Sequence, residues 1–460
     1  MTGSTTTSVS YLEETIVALS TPPGRGALAI IRVSGKDAIE AITPFLFKRK
    51  KSGKLNNIVI NRQIRLFGLI VNEGRVIDEV VLSVFRAPNS YTGEDVVEIT
   101  CHCNPFIIKE ILDLLLKTAR IAYPGEFTQR AFFNNKMDLT KAEAVGDLLN
   151  ASTLHSHHAA ISQLEGSLYR RISQALNELT NYRTELELEI DFVEQDLPEI
   201  DLDQLYKRLN SLLENLRALL ATGKEGLLIR EGLSVVLVGE PNVGKSSLFN
   251  SLLETDRALV HQTPGTTRDY LEESLSIKGY LVRLFDTAGL RDTDEEVESG
   301  GIEKTKKLLE KADKIIYVID APSLIPKELD SQADKLIKLL NKSDLHPSEL
   351  KKEYEKEGYV ICSAKTGEGL DLLKERIIDS LHLATSNIDE GILSNVRQIN
   401  AVKKSIAKLE AGLRGIENSL GFEFIAYDLK EASEALEEIV GKVTDDDILN
   451  KIFENFCIGK

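Results

Sequence analysis

Residues 239–246 read GEPNVGKS, a loop of the form G-x-x-x-x-G-K-[ST] set between an apolar run at 233–238 and a helix-forming stretch that begins at Lys245. Nothing else in the chain restricts its fold as tightly. A glycine-rich turn that aims backbone N–H groups at one anion needs a strand feeding into it and a helix leaving it, with the helix N-terminus facing the same anion. Further short apolar runs at 281–285, 314–320 and 359–362 are each bounded by polar residues. That alternation is the βαβ pattern of a mostly parallel sheet, predicted over 223–383.

Three more segments follow the loop in an order that gives them chemistry. DTAG at 286–289 ends an apolar strand, so Asp286 can stand near Mg²⁺, with Thr287, Ala288 and the Gly289 N–H near a terminal phosphate. NKSD at 341–344 contributes Asn341, Lys342 and Asp344, and the Asp344 carboxylate can accept from both N1–H and the exocyclic amine of guanine. Adenine cannot offer that pair, and leaving a buried carboxylate unpaired is expensive, so the pocket is expected to select the base. Ser363, Ala364 and Lys365 follow a further strand, and GTTRD at 265–269 occupies the place of a mobile switch, with Gly265, Thr266 and Thr267 beside the nucleotide. In the loop itself, Asn242, Val243, Gly244, Lys245, Ser246 and Ser247 surround the phosphates, with Lys245 reaching the β- and γ-phosphates and Ser246 suited to Mg²⁺. Together these segments imply a guanine nucleotide switch on a Ras-like P-loop domain. Leu290 stands where Ras-like proteins carry a water-orienting Gln. Hydrolysis must be organised otherwise, with Arg268, Arg291 or an acid of the run 292–298 as candidates.

On either side the texture differs. Residues 1–126 mix β-rich runs at 27–33, 63–71, 76–85 and 95–100 with a helix predicted at 106–119, an α/β domain. Residues 127–222 and 384–460 are rich in Leu, Ala and Glu, and the second stretch has no Pro, so a helical domain interrupted by the inserted sheet domain is expected. A net charge of −16 excludes a binder held on nucleic acid by bulk positive charge, but leaves a local basic face possible. The run KRKKSGK at 48–54 reads as an exposed loop, with nucleic-acid contact as the alternative. No stretch approaches the roughly 18 apolar residues of a membrane span. The first twenty residues carry Glu13 and Glu14 without Lys or Arg, unlike a secretory or transit signal. Cys101, Cys103, Cys362 and Cys457 are too scattered for a disulfide framework, so a reducing, cytoplasmic location is expected. CHC at 101–103 has no second ligand pair at zinc spacing. His155, His157 and His158 do not share one helix face and read as a solvated helix side.

The flanking segments carry a resemblance. TIVA at 15–18, STPPG at 20–24, IRVSG at 31–35, YTGED at 91–95, PGEF at 124–127, RAF at 130–132, KAEAV at 141–145 and CIGK at 457–460 are similar to the tRNA-modification GTPases of the MnmE (TrmE) family over essentially the whole chain. The resemblance implies a homodimer formed through the N-terminal domains, each binding 5-formyl- or 5,10-methylene-tetrahydrofolate. It further implies an FAD-containing partner, MnmG (GidA), and a tRNA substrate whose wobble uridine receives an aminomethyl or carboxymethylaminomethyl group at C5. Folate contacts would fall on Arg32, Glu98, Lys136 and Lys460, with Cys457 nearby. From the residues alone, the favoured reading of Arg32 and Glu98 is a cross-strand ion pair. The resemblance also implies K⁺ held by Asn242, His261, Thr263 and Thr266, Mg²⁺ on Ser246 and Thr267, and Glu298 as the catalytic acid, with GTPase domains pairing across the nucleotide. Where the family usually reads Cys-His-Gly-Gly, this chain has CHCN at 101–104, which replaces two residues able to take positive φ.

Two rival readings remain at this level. A ribosome-assembly GTPase would share the nucleotide motifs without covalent chemistry on RNA, but would usually add a basic RNA-binding module. A free-standing one-carbon enzyme regulated by the GTPase domain is the other.

Overall fold

The computed structural model describes residues 13–48, 64–191, 200–256, 271–286, 307–321, 326–379, 386–442, 446–454 and 456–460. Its chain packs into two compact units, one of Met1–Gly146 with Val440–Lys460 and the other of Asp147–Ile439.

The first unit is built on a seven-stranded sheet in the order β3-β4-β5-β6-β2-β1-β7. The strands are β1 (Ile16–Leu19), β2 (Leu28–Ser34), β3 (Leu46–Phe47), β4 (Ile64–Asn72), β5 (Arg75–Phe85), β6 (Val96–His102) and β7 (Arg120–Ile121). All pairings are antiparallel except β1 with β7. Period-2 alternation puts Ala29, Ile31 and Val33 of β2 and Val97, Ile99 and Cys101 of β6 into the main core, and turns Arg32 and Glu98 to the other face. β1 is buried on both sides: Val17 joins the main core, while Ile16 and Ala18 pack with Ala122 and Phe127.

The helix predicted at 106–119 runs over Pro105–Leu115. Asn104 caps it, its side chain accepting from Phe106 N at 2.9 Å, and Pro105 occupies the first turn. This also corrects the glycine expectation at 101–104. Asn104 is extended, φ −121 and ψ 128, and Cys103 is not among the residues of positive φ, so neither position uses a glycine's freedom.

In the second unit, β8 (Leu233–Val238), β9 (Leu271–Ile277), β10 (Tyr280–Asp286), β11 (Lys314–Ile319), β12 (Leu336–Leu340) and β13 (Val360–Ile361) form a sheet in the order β13-β12-β11-β8-β10-β9. Only β9 is antiparallel. Before and after the sheet domain in the chain come long helices that pack on each other, among them Leu202–Ala221, whose stripe Leu205, Leu209, Leu212, Leu213, Leu216 and Leu219 is buried, and Val396–Glu417. The fold is therefore an α/β unit and a helical domain interrupted by a Ras-like P-loop domain.

The inserted domain is rooted where the chain enters and leaves it. On the way in, the helix Gly223–Glu231 lies so close to the outgoing segment that a Cβ on Gly226 would stand 2.0 Å from Leu393 O. On the way out, Gln163 donates to Ile392 O at 3.2 Å and Ser394 Oγ at 2.8 Å, and Arg171 to Gly391 O at 2.9 Å. His155 departs from the expected solvated helix side. Its ring packs on Tyr280 and is half-buried, whereas His157 and His158 are exposed.

Candidate functional site

The nucleotide segments converge at the C-terminal ends of the parallel strands β8, β10, β12 and β13, where an open α/β sheet leaves a ligand crevice. Gly239 (φ +151) and Gly244 (φ +94) hold a loop without space for side chains. A Cβ on Gly239 would stand 2.2 Å from Val318 O, and one on Gly244 2.4 Å from Asn341 Nδ2. Asn242 also has positive φ, which its short side chain tolerates. Lys245 is buried and donates to the carbonyls of Gly239 (3.1 Å) and Glu240 (2.9 Å), so its ammonium sits within the loop beside the N-terminus of the helix Lys245–Asp256. Ser246 Oγ donates to Asp286 Oδ2 at 3.1 Å. These are two hard oxygen donors at one point, the set Mg²⁺ takes when phosphates and water complete its shell.

Asn341 straps the crevice together. Almost fully buried, it donates from Nδ2 to Val243 O at 2.9 Å and accepts on Oδ1 from Ala364 N at 3.1 Å, joining the phosphate loop to the 363–365 turn. Lys342, in a left-handed conformation, adds a second tie through Nζ to Asn242 O (2.8 Å) and Asp320 (2.6 Å). Asp344 corrects the expectation of a buried carboxylate: it is exposed, at the end of the 341–344 turn rather than in the core, and Ser363 Oγ donates to its Oδ1 at 2.6 Å. That hydrogen bond, with Lys365 and Lys351 nearby, holds its carboxyl below the usual aspartate range. Of the expected nucleotide-site residues, His261, Thr263, Gly265, Thr266, Thr267, Thr287, Ala288, Gly289 and Glu298 lie outside the described residues, as do Arg268, Arg291 and residues 49–54 of the basic run.

A second cluster occupies the first unit. Arg32 and Glu98 are register partners on β2 and β6, and Arg32 donates from Nε (3.0 Å) and Nη2 (2.8 Å) to Glu98 Oε1. The cross-strand ion pair is thus present, and it is part of something larger. Arg32 Nη1 and Ser20 Oγ both donate to Gly459 O, at 3.3 and 3.2 Å, and the guanidinium lies over the rings of Tyr91 and Phe127 at 5.6 Å each. Gly459 has φ +96 and a Cβ there would stand 2.6 Å from Leu19 O, so the glycine of CIGK is what lets this segment close on the sheet. Lys460 follows beside the ion pair, and burial, then the Arg32 charge, push its pKa down. Cys457 is exposed, and its carbonyl accepts from Lys460 N at 3.3 Å. Lys136 is exposed and donates instead to Pro88 O at 2.8 Å.

The PGEF and RAF segments, which in the sequence are markers of the resemblance without an assigned role, form a buried charge network. Glu126 is fully buried and accepts from Arg120 Nη1 (2.8 Å) and Nη2 (2.6 Å), Arg130 Nη2 (2.7 Å) and Tyr123 N (2.8 Å). Arg130, itself 1% exposed, also holds Glu94 at 3.0 and 3.1 Å. The signal in the sequence is the (i, i+4) spacing of Glu126 and Arg130 on a helix. His102 is taken up by Asp78, Nδ1 to Oδ1 at 2.7 Å, and among the described residues no three His, Cys, Asp or Glu side chains are grouped to hold a metal.

Residues 15–136 match the family described as "GTP-binding protein TrmE N-terminus", and residues 139–457 match "MnmE helical domain". The "tRNA modification GTPase MnmE" of Christiangramia forsetii is 39% identical, covering 98% of this chain and 100% of its own length. That of Aquifex aeolicus is 41% identical with the same coverage. The G domain of the T. maritima FeoB iron transporter is 34% identical over 32% of this chain and 97% of its own, at a TM-score of 0.23. Family matches over both flanking regions, and relatives aligned from end to end, assign this chain to the MnmE family of tRNA modification GTPases.

Proposed function

We infer that this chain hydrolyses GTP in the service of a tRNA modification. The observation that carries the reading is the strapped crevice, in which Lys245, Ser246, Asp286, Asn341 and Asp344 come from separate segments to one strand edge. Base choice rests with Asp344, held by Ser363. Lys245 and the loop amides carry phosphate charge, and Ser246 with Asp286 would hold Mg²⁺, which when bound neutralises charge on the phosphate oxygens. Asn242, at the lip of the loop, is the described residue of the K⁺ set, and Glu298 is the assigned water-orienting acid. A monovalent cation would take the place of an arginine finger, with two copies pairing across their nucleotides.

In the first unit the proposed ligand is 5-formyl- or 5,10-methylene-tetrahydrofolate. The Glu98 carboxylate suits the pterin amide and amine edge, and Lys460 and Arg32 suit an anionic tail. Lys136 stays in the proposal as a more peripheral cation. The one-carbon unit would pass, with an FAD-containing MnmG partner, to C5 of the wobble uridine of tRNA. The full-length protein should turn over GTP much faster in KCl than in NaCl at equal ionic strength, and Glu298→Ala should bind GTP yet hydrolyse it slowly. Equal rates in both salts would remove the cation mechanism, and unimpaired Glu298→Ala turnover would remove that residue.

A further inference from the structure

A domain inserted into another needs two attachments, and this one has a third. The turn joining β9 to β10 rests on the helix Leu154–Leu164. His155 N donates to Gly279 O at 3.3 Å. Its Nε2 lies 3.2 Å from Lys278 O, and because a carbonyl only accepts, Nε2 carries the proton. The imidazole packs on the Tyr280 ring at a centroid distance of 4.5 Å, and Tyr280 is buried among Ala159, Ile229, Ile388 and Ile392. Gly279 has φ +87, and a Cβ there would meet the imidazole at 2.8 Å. Nδ1 is buried with no hydrogen-bond partner among the described residues, so the ring is oriented wholly by Lys278 O and Tyr280.

What lies at the far end of that strand gives the contact its interest. β10 runs without a break from Tyr280 to Asp286, six residue steps or about 20 Å. At Asp286 it meets Ser246. A paired strand flanked on both sides resists bending and transmits displacement along its length. Any shift of Asp286 along the strand axis must therefore slip the His155–Tyr280 packing or move the helix Leu154–Leu164 with it. Room for such movement lies alongside, in a cavity of about 290 Å³ lined in part by Ser156, Ala159, Ala160, Gln163, Arg230 and Ser394.

We propose that His155 is a positioning residue for GTP hydrolysis, fixing the remote end of the strand that carries Asp286 and coupling the nucleotide to the helix Leu154–Leu164. The proposal rests on the nucleotide reading of Asp286. The phosphate loop and the base-binding segments are held by Asn341 and Lys342, apart from this contact, so loosening it acts on turnover rather than on binding.

The test uses the full chain and three variants: His155→Ala, His155→Gln, which keeps a donor near Nε2, and His155→Phe, which keeps the ring but loses the donor. His155→Ala should lower kcat roughly fivefold or more while KM for GTP stays within about twofold, with His155→Gln and His155→Phe each restoring part of the rate. Amide exchange over 154–164 should differ between the GDP and GDP–aluminium fluoride states of the parent protein, and that difference should vanish in His155→Ala. A folded His155→Ala protein with parental kcat and parental nucleotide-dependent exchange overturns the proposal. If all three variants lose stability and KM together, His155 is structural only and the proposal is equally overturned. A parent protein that does not hydrolyse GTP would instead refute the nucleotide reading.

Discussion

Replacing Asn341 with alanine tests whether the crevice is preorganised by one buried amide. The change removes two hydrogen bonds, to Val243 O at 2.9 Å and from Ala364 N at 3.1 Å, at a residue 1% exposed. Each is worth about 1 kcal/mol net, and up to about 2 kcal/mol where the backbone group it leaves stays unpaired in a dry site, so a total of about 2–4 kcal/mol is expected. Gly244 sits so close to the amide that the loop has little freedom to reach another partner, since a Cβ there would stand 2.4 Å from Nδ2. Because the same geometry is required with nucleotide bound, the loss should appear mainly as reduced affinity. At 1.4 kcal/mol per decade it corresponds to roughly 30- to 700-fold weaker binding. Titration with a fluorescent GDP analogue measures it, and stopped-flow dissociation should place most of the change in the off-rate. Asn341→Asp should do no better than alanine, because it sets a carboxylate oxygen against the Val243 carbonyl. An Asn341→Ala protein that binds GDP within about threefold of the parent would refute the strap as the organising element.

Three further outcomes follow from the first unit. Glu126→Ala leaves Arg130 buried with Glu94 as its one carboxylate partner among the described residues, and should cost about 3 kcal/mol at neutral pH, read as a fall in urea midpoint. Burial alone would raise the Glu126 carboxyl, but the bonds from Arg120, Arg130 and the Tyr123 amide outweigh it, so the folded pKa is lowered. Its contribution is therefore present above the usual glutamate value of about 4.3 and lost as pH falls through the lower folded value, and the gap between parent and variant should close on acidification. A gap unchanged on acidification would refute this. At the proposed folate site, Gly459→Ala should weaken 5-formyl-tetrahydrofolate binding by about tenfold in calorimetric titration, because positive φ and a contact of 2.6 Å displace Lys460. In the parent protein, affinity should hold at pH below the depressed Lys460 pKa and decline as pH rises through it, since only the ammonium attracts an anionic tail. Unchanged affinity in the variant, or a rise with pH, would count against Lys460.

Features set by neighbours in the chain are legible in the sequence. The strand, glycine loop and helix at 233–256 are fixed by local dihedral needs and an apolar run, and the order of the nucleotide motifs sets the sheet domain. Alternation on β2 and β6 likewise marks Arg32 and Glu98 as possible partners. Periodicity overruns the helix after Leu115, where the chain turns into β7, and it passes over the short edge strand β3, whose two residues are too few to show a period.

What the tertiary structure decided were the meetings of residues far apart in sequence. Arg32 and Gly459 are separated by 427 positions, Asn341 and Val243 by 98, and His155 and Lys278 by 123. Sequence supplied each group and its chemistry: an amide, a guanidinium, an imidazole, a glycine free to take positive φ. Whether Asn341 reads a base or straps two loops, and whether His155 faces water or a strand turn, depends on register and close packing. A shift of one residue along a strand reverses every side chain it carries, and no local pattern of these residues encodes that choice.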